Sequence, residues 1–124
     1  MMGASPQIKA TFLLGPDGRP EQIEQGDLKH FKIKLQVDGA PEDTYAVTYL
    51  LDSSYHTPVR EALNRTNGFS EELTSYGDYN VEAKIRTRDG VYAVSSPLSA
   101  ALEAGHAAAL TPPITAALNE LKVK

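Results

Sequence analysis

Two stretches alternate strictly between apolar and polar residues, and that alternation limits the fold more than anything else in this chain. In Phe31-Lys32-Ile33-Lys34-Leu35-Gln36-Val37 every odd position is apolar and every even one polar. Tyr79-Asn80-Val81-Glu82-Ala83-Lys84-Ile85-Arg86 repeats the pattern. A period of two sends successive side chains to opposite faces of a strand, so each stretch has one face for a core and one for water. Ile8 to Leu14 alternates less cleanly. Thr44 to Leu51, rich in Tyr, Thr, Val and Leu, predicts a central strand buried on more than one side. Val91 to Ser95 follows Arg88-Asp89-Gly90, and an Asp-Gly pair between strands predicts a hairpin.

The intervening segments carry turn chemistry. Gly15-Pro16-Asp17-Gly18-Arg19-Pro20 and Asp38-Gly39-Ala40-Pro41 break the chain sharply. Asp52 to Gly77 is a long polar connection, either functional or a crossover between sheets, with short strands expected inside it around Glu71 to Thr74. Five strand-like runs with frequent turns predict an all-β fold, an antiparallel β-sandwich. Ser99 to Ala109 is Ala-rich and favours helix, weakened by Gly105. Thr111-Pro112-Pro113 reads as a helix start, and Ile114, Ala117, Leu118 and Leu121 share one helical face. The expected organisation is a sandwich domain over residues 1–110 and a short C-terminal helix, or a tail, over 111–124.

Composition narrows the function. The chain has 124 residues, enough for one modest core, and a formal charge of −4. That charge argues against nucleic acid, which needs a basic face, and suits a lysine-rich peptide. No apolar run approaches the ~20 residues that span a bilayer, and Met1 to Pro6 has no signal-peptide character. Neither a membrane nor a secretory route is expected, and the absence of Cys fits the cytoplasm and removes thiolate metal sites. His30, His56 and His106 are scattered. Asp52, Ser54 and His56 are two apart, but triad members converge from separated segments, so neither an enzyme nor a metal or other cofactor is expected. Glu21 to Glu24 and Glu71-Glu72 read as solvated acidic faces.

Thr44 to Leu98 resembles the YEATS domain, its prokaryotic branch in particular. Tyr45-Ala46-Val47-Thr48-Tyr49-Leu50-Leu51-Asp52-Ser53-Ser54-Tyr55-His56-Thr57-Pro58-Val59-Arg60 is similar to the family's strand, polar pair, aromatic, proline and basic residue. Gly68-Phe69-Ser70 matches an aromatic-led segment, and Ser75-Tyr76-Gly77-Asp78-Tyr79 stands where the family has a Gly-aromatic-Gly-x-aromatic turn. Asp89-Gly90 matches the next hairpin, and Leu98 the leucine closing the domain. The resemblance implies an immunoglobulin-like sandwich and a non-catalytic module that binds a peptide or protein, with acylated lysine as a candidate ligand. Prokaryotic members accompany signalling or defence proteins, which implies an adaptor.

The resemblance also implies a site. Tyr55 and Tyr76 match the two aromatics that sandwich the acyl-amide, and Ser54 matches the hydroxyl that meets it. The backbone N–H of Tyr76 is the matching donor, flanked by Ser75 and Gly77. Asp52 stands where acyl-lysine readers have His. A carboxylate cannot donate as an imidazole does and adds charge beside the slot. Ser75 replaces a Gly. A second expectation, from a different class, is an assembly subunit that self-associates through a sandwich edge or the Ile114 to Leu121 helix. Oligomeric state and ligand identity are not readable from the residues.

Overall fold

The computed structural model describes residues 6–25 and 28–123. Its spine is β3 (Leu28–Asp38). The register pairs β1 (Gln7–Phe12) with positions 33–38 of β3, and β2 (Gln22–Gln25) with positions 28–31. β6 (Glu71–Ser75) pairs with positions 31–35. Because β1 and β6 share partners 33–35, they lie on opposite sides of β3. The second sheet runs β5 (Val59–Ala62), β4 (Ala46–Leu50), β7 (Asn80–Thr87) and β8 (Gly90–Pro97), all antiparallel. Two short helices follow, α1 (Leu98–Gly105) and α2 (Pro112–Lys122). The architecture is the all-β antiparallel sandwich that the alternation predicts, of the immunoglobulin-like kind that the resemblance implies.

Both alternating stretches bury the face they should. Phe31, Ile33, Leu35 and Val37 point from β3 into the core, and Val81, Ala83 and Ile85 point from β7 to meet them. Each such side chain contributes roughly 1.5–3 kcal/mol if Val-sized or larger. A slip of one residue would expose the whole set, so the register is strongly specified. β4 lies between β5 and β7, and four of its five residues are buried. Even its solvent-side Thr48 is covered, by Arg86, whose Nε donates to Oγ1 at 3.1 Å.

The long connection is a crossover: β5 belongs to one sheet and β6 to the other. Between them lies a 3-10 turn at Arg65–Asn67. Asn64 caps it by accepting from the Thr66 N–H, and Gly68 ends it in the left-handed conformation, at φ 73°. Phe69 continues at φ 53°, where an ordinary side chain costs roughly 1–2 kcal/mol. Its neighbours hold it there. The Tyr49 hydroxyl donates to the Phe69 carbonyl at 2.6 Å, the Phe69 N–H donates to the Asn64 carbonyl at 3.0 Å, and the Arg65 guanidinium lies 5.5 Å from the ring centroid. Arg65 also donates to the carbonyls of Glu42 and Thr44, tying the crossover to the β3–β4 loop.

Several local expectations need refinement. The β7–β8 hairpin pairs Thr87 with Gly90, so Arg88-Asp89 forms the turn and Gly90, at φ 149°, opens β8. Glu21 and Glu24 are exposed, as expected of a solvated acidic face, and the segment also forms a strand, Gln22–Gln25, on β3. Leu98 begins α1 and is fully buried there.

The helices close one edge of the sandwich. Gly105, the last residue of α1, lies against β1 so tightly that a Cβ would stand 1.9 Å from the Ala10 carbonyl oxygen. The adjacent His106 imidazole accepts a hydrogen bond from the Phe12 N–H and stacks on the Phe12 ring, with centroids 5.7 Å apart. α2 buries the face expected of it, Ile114, Ala117, Leu118 and Leu121.

Candidate functional site

Ser75, the last residue of β6, pairs with Phe31 of β3, so the loop after β6 starts at that end of the sandwich. The β4–β5 loop, residues 51–58, comes to the same place. The Tyr55 hydroxyl holds it there, donating to the Thr74 carbonyl at 2.8 Å and accepting from the Tyr79 hydroxyl at 3.0 Å. Two loops separated by the crossover are thereby joined.

The β4–β5 loop is shaped by its own polar atoms. Asp52 Oδ1 accepts from the Ser54 N–H at 2.9 Å, and the Tyr55 N–H donates to the Asp52 carbonyl at 3.1 Å. This is a turn in which a carboxylate replaces a backbone acceptor. The Ser54 backbone N–H, and then its hydroxyl, hold the Asp52 carboxyl below its ordinary range, so it is ionised at neutral pH. Asp52, Ser54 and His56 are exposed.

Tyr55 is half-buried against the core. Its ring stands edge-on to Tyr79, with centroids 5.6 Å apart, and the Arg60 guanidinium lies 5.9 Å from its centroid. Burial raises its phenol pKa and that of Tyr79. Arg60 is fixed in turn by Glu71, at 3.0 Å, and by the carbonyls of Thr57 and Glu72.

Tyr76 has different surroundings. It is 42% exposed at the tip of the β6–β7 loop, and its ring stands edge-on to His30 of β3, with centroids 5.2 Å apart. Ser75 is buried, and its hydroxyl both donates to the Gly77 carbonyl at 2.7 Å and accepts from the Gly77 N–H at 3.3 Å. Among the described residues Phe69 alone, apart from glycines, has positive φ, so Ser75 occupies the turn without left-handed strain. Asp78 anchors the far side of the loop. Its carboxylate accepts from the N–H and the hydroxyl of Ser99, at 2.8 and 2.6 Å, and the Tyr79 carbonyl accepts from the Leu98 N–H.

The structure thus places Asp52, Ser54, Tyr55, Ser75, Tyr76 and Gly77 on two loops at one end. The two tyrosine rings are held by different neighbours, Tyr55 by Tyr79 and Tyr76 by His30. Sequence reasoning did not single out His30, Arg60 or Thr74 for this end. His30 is detectable only through register: Phe31 pairs with Ser75, so the preceding residue lies beside Tyr76.

Other features lie elsewhere. A cleft of about 400 Å³ opens between the β1–β2 loop and α2, lined by Glu21, Phe31 and Glu120 among others. Among the described residues no group of three His, Asp or Glu could hold a metal, and no helix is long and apolar enough to cross a membrane.

The fold is shared with known proteins. The crystal structure of the yeast AF-9 homolog Yaf9 superposes with a TM-score of 0.53 at 20% identity, covering 75% of this chain and 65% of that one. The present chain therefore spans less than two thirds of that relative. The Yaf9 YEATS domain recognizing an H3K122suc peptide gives a TM-score of 0.53 at 16% identity, covering 79% of this chain and 70% of the other. No curated protein matches. The family model for the prokaryotic YEATS domain matches residues 31–96, more than half of the sequence, from Phe31 in β3 almost to the end of β8. The chain belongs to the prokaryotic YEATS domain family.

Proposed function

We propose that this chain is a non-catalytic binding module that takes a peptide at the end where residues 51–58 and 76–79 meet. The observation that carries the reading is the exposed Tyr76 ring, held on a loop that the Ser75 hydroxyl and the Asp78 carboxylate fix from both sides. A large flat apolar face presented by a rigid loop is a favourable platform for a planar or aliphatic group. Ser54, on the loop that Tyr55 joins to this end, offers an exposed hydroxyl, and the N–H of Tyr76 is the candidate donor. Tyr55 serves as a fixed wall, and Ser75 and Gly77 set the pose of Tyr76.

Acylated lysine is the first ligand chemistry to test, since the yeast relative recognises a peptide named for a succinylated lysine. The ionised Asp52 modifies that expectation. A carboxylate at the rim favours a peptide with positive charge near the read side chain and opposes an acyl group that carries its own carboxylate. An adaptor role in signalling or defence extends this reading from the family resemblance, and the lack of Cys fits a cytoplasmic setting.

The test is a titration with lysine peptides that are unmodified, acetylated, crotonylated and succinylated, followed by NMR shifts. The expected result is binding of at least one neutral acyl form, weakened tenfold or more by Tyr76→Ala, with the succinylated form weaker and strengthened by Asp52→Asn. No shift from any peptide at millimolar concentration would end this reading.

An assembly role through the C-terminal helix has less support, because the apolar face of α2 is already covered by its own domain.

A further inference from the structure

Among the described residues two buried side-chain atoms make no hydrogen bond, Oγ1 of Thr44 and Nδ1 of His30. A covered polar atom without a partner costs free energy, so each needs a cause. Thr44 precedes β4, at the opposite end of that strand from the loop bearing Tyr55. His30 Nδ1 is at the end where the Tyr76 ring is exposed. The register puts it there. Phe31 points into the core, so His30 points outward from β3, opposite Ile23 of β2. On the other side Phe31 pairs with Ser75, and Tyr76 follows, so the two rings meet at 5.2 Å with their planes at 62°. A residue on a strand paired on both sides is held more precisely than one on a loop.

Most other polar side chains at this end are committed inside the fold. The Asp78 carboxylate is held by Ser99, the Ser75 hydroxyl by Gly77, and the Tyr55 hydroxyl by Thr74 and Tyr79. Arg60 is taken by Glu71 and two carbonyls. Asp52 uses Oδ1 on the Ser54 N–H. Asp52, Ser54 and His56 are exposed on the β4–β5 loop, whereas His30 is fixed against the Tyr76 ring.

We infer that His30 is a specificity-determining residue of the peptide site, its Nδ1 accepting the N–H of a planar amide laid on the Tyr76 ring. The role presupposes that a peptide binds at this end, as proposed above. An amide keeps its N–H and C=O in one plane, so it can lie flat on a ring and still bond at its edges. With the Tyr76 N–H on the carbonyl, the amide N–H needs an acceptor, because burying it unpaired is costly. A neutral imidazole has one acceptor nitrogen. A half turn about the Cβ–Cγ bond, a soft two-fold torsion, keeps the imidazole plane against Tyr76 and carries Nδ1 to the other edge of the ring. His30 is only partly buried, so the ring is reachable from solvent. The ligand class that follows is an amide rather than an ester of the same shape, since a site built around a bonded N–H rejects the analogue that lacks it.

The experiment is an NMR titration of the whole chain with acetylated and crotonylated lysine peptides, and with ester analogues in which oxygen replaces the side-chain N–H. The expected result is that the wild type binds an amide about fivefold or more tightly than its ester. His30→Phe, which keeps a ring under Tyr76, should lose that preference. His30→Asn, whose amide oxygen can stand in for Nδ1, should keep it. A purely packing role gives the reverse order, with Phe the better replacement. Circular dichroism checks that each variant folds. If one does not, the Nδ1 nitrogen shift of wild-type His30 decides, moving with the amide and not with the ester. Equal binding of amide and ester overturns the role and leaves the peptide site standing. A preference that vanishes in Ser54→Ala but survives in His30→Phe assigns the N–H to that hydroxyl and also overturns it. Binding of neither by the wild type ends the peptide site and this role together.

Discussion

The backbone N–H of Phe12 donates to Nε2 of His106 at 2.9 Å, linking residues 94 apart in the chain. Phe12 is in β1 and His106 immediately follows α1, so this bond fastens the helical segment to a strand edge. It also fixes the imidazole tautomer. Nε2 must be the acceptor, so the proton of the neutral ring sits on Nδ1. Protonating Nε2 removes the acceptor and sets a cation against a backbone donor.

Stability should therefore depend on pH through His106. Burial lowers its pKa below the ordinary 6.5. The unfolded chain then binds the proton more readily than the folded one. The contribution is complete above about pH 6.5 and is lost progressively as the pH falls toward the folded value. Urea melts at pH 7.5 and pH 5 should show a smaller pH difference in His106→Gln, whose amide oxygen can accept from Phe12 without titrating. An unchanged difference would remove His106 from this role.

Gly105→Ala should destabilise the protein markedly. The added carbon would stand 1.9 Å from the Ala10 carbonyl oxygen, and backbone cannot move aside as a side-chain tip can. An alanine ordinarily stabilises a helix relative to glycine by up to ~1 kcal/mol, so a loss of several kcal/mol would have the opposite sign. Thermal denaturation decides it. A melting temperature equal to wild type would mean that α1 does not lie this close.

Tyr49→Phe tests the crossover. The hydroxyl is deeply buried and donates to the Phe69 carbonyl, at a residue with positive φ. Removing it leaves a buried carbonyl without that donor, at a cost of about 1–3 kcal/mol. Hydrogen exchange should become faster around residues 64–70 before it does in β3. Uniform loosening would argue against a local restraint.

Tyr55 and Tyr76 should separate stability from binding. Tyr55→Phe removes a donor to Thr74 and an acceptor for Tyr79, and should cost about 1 kcal/mol or slightly more. Tyr76→Ala removes a ring that is nearly half exposed, and should change stability by well under 1 kcal/mol. Equal effects on chemical melts would contradict the different settings of the two rings.

How far the residues alone reveal this depends on the range of each interaction. β3 and β7 were legible because alternation is local and each has a face in the core, and β8 because the Asp89-Gly90 pair marks a hairpin before it. α2 was legible because Ile114, Ala117, Leu118 and Leu121 have helical spacing. β2 and β5 were not, because each is four residues long and carries charge. His106 gave no signal, because its partner is a backbone group of a distant strand. The loop aromatics could be assigned to an end of the sandwich, but their neighbours could not. Whether Tyr55 meets Tyr79 or Tyr76 is decided by the crossing of the chain between sheets.

The Asp78–Ser99 contact has a consequence for whatever settles on Tyr76. The segment bearing that ring is clamped to the first turn of α1 only two residues further along. It has little conformational freedom left to surrender when a ligand arrives. Contact there should carry a small entropic penalty and a fast on-rate, with no slow rearrangement preceding it.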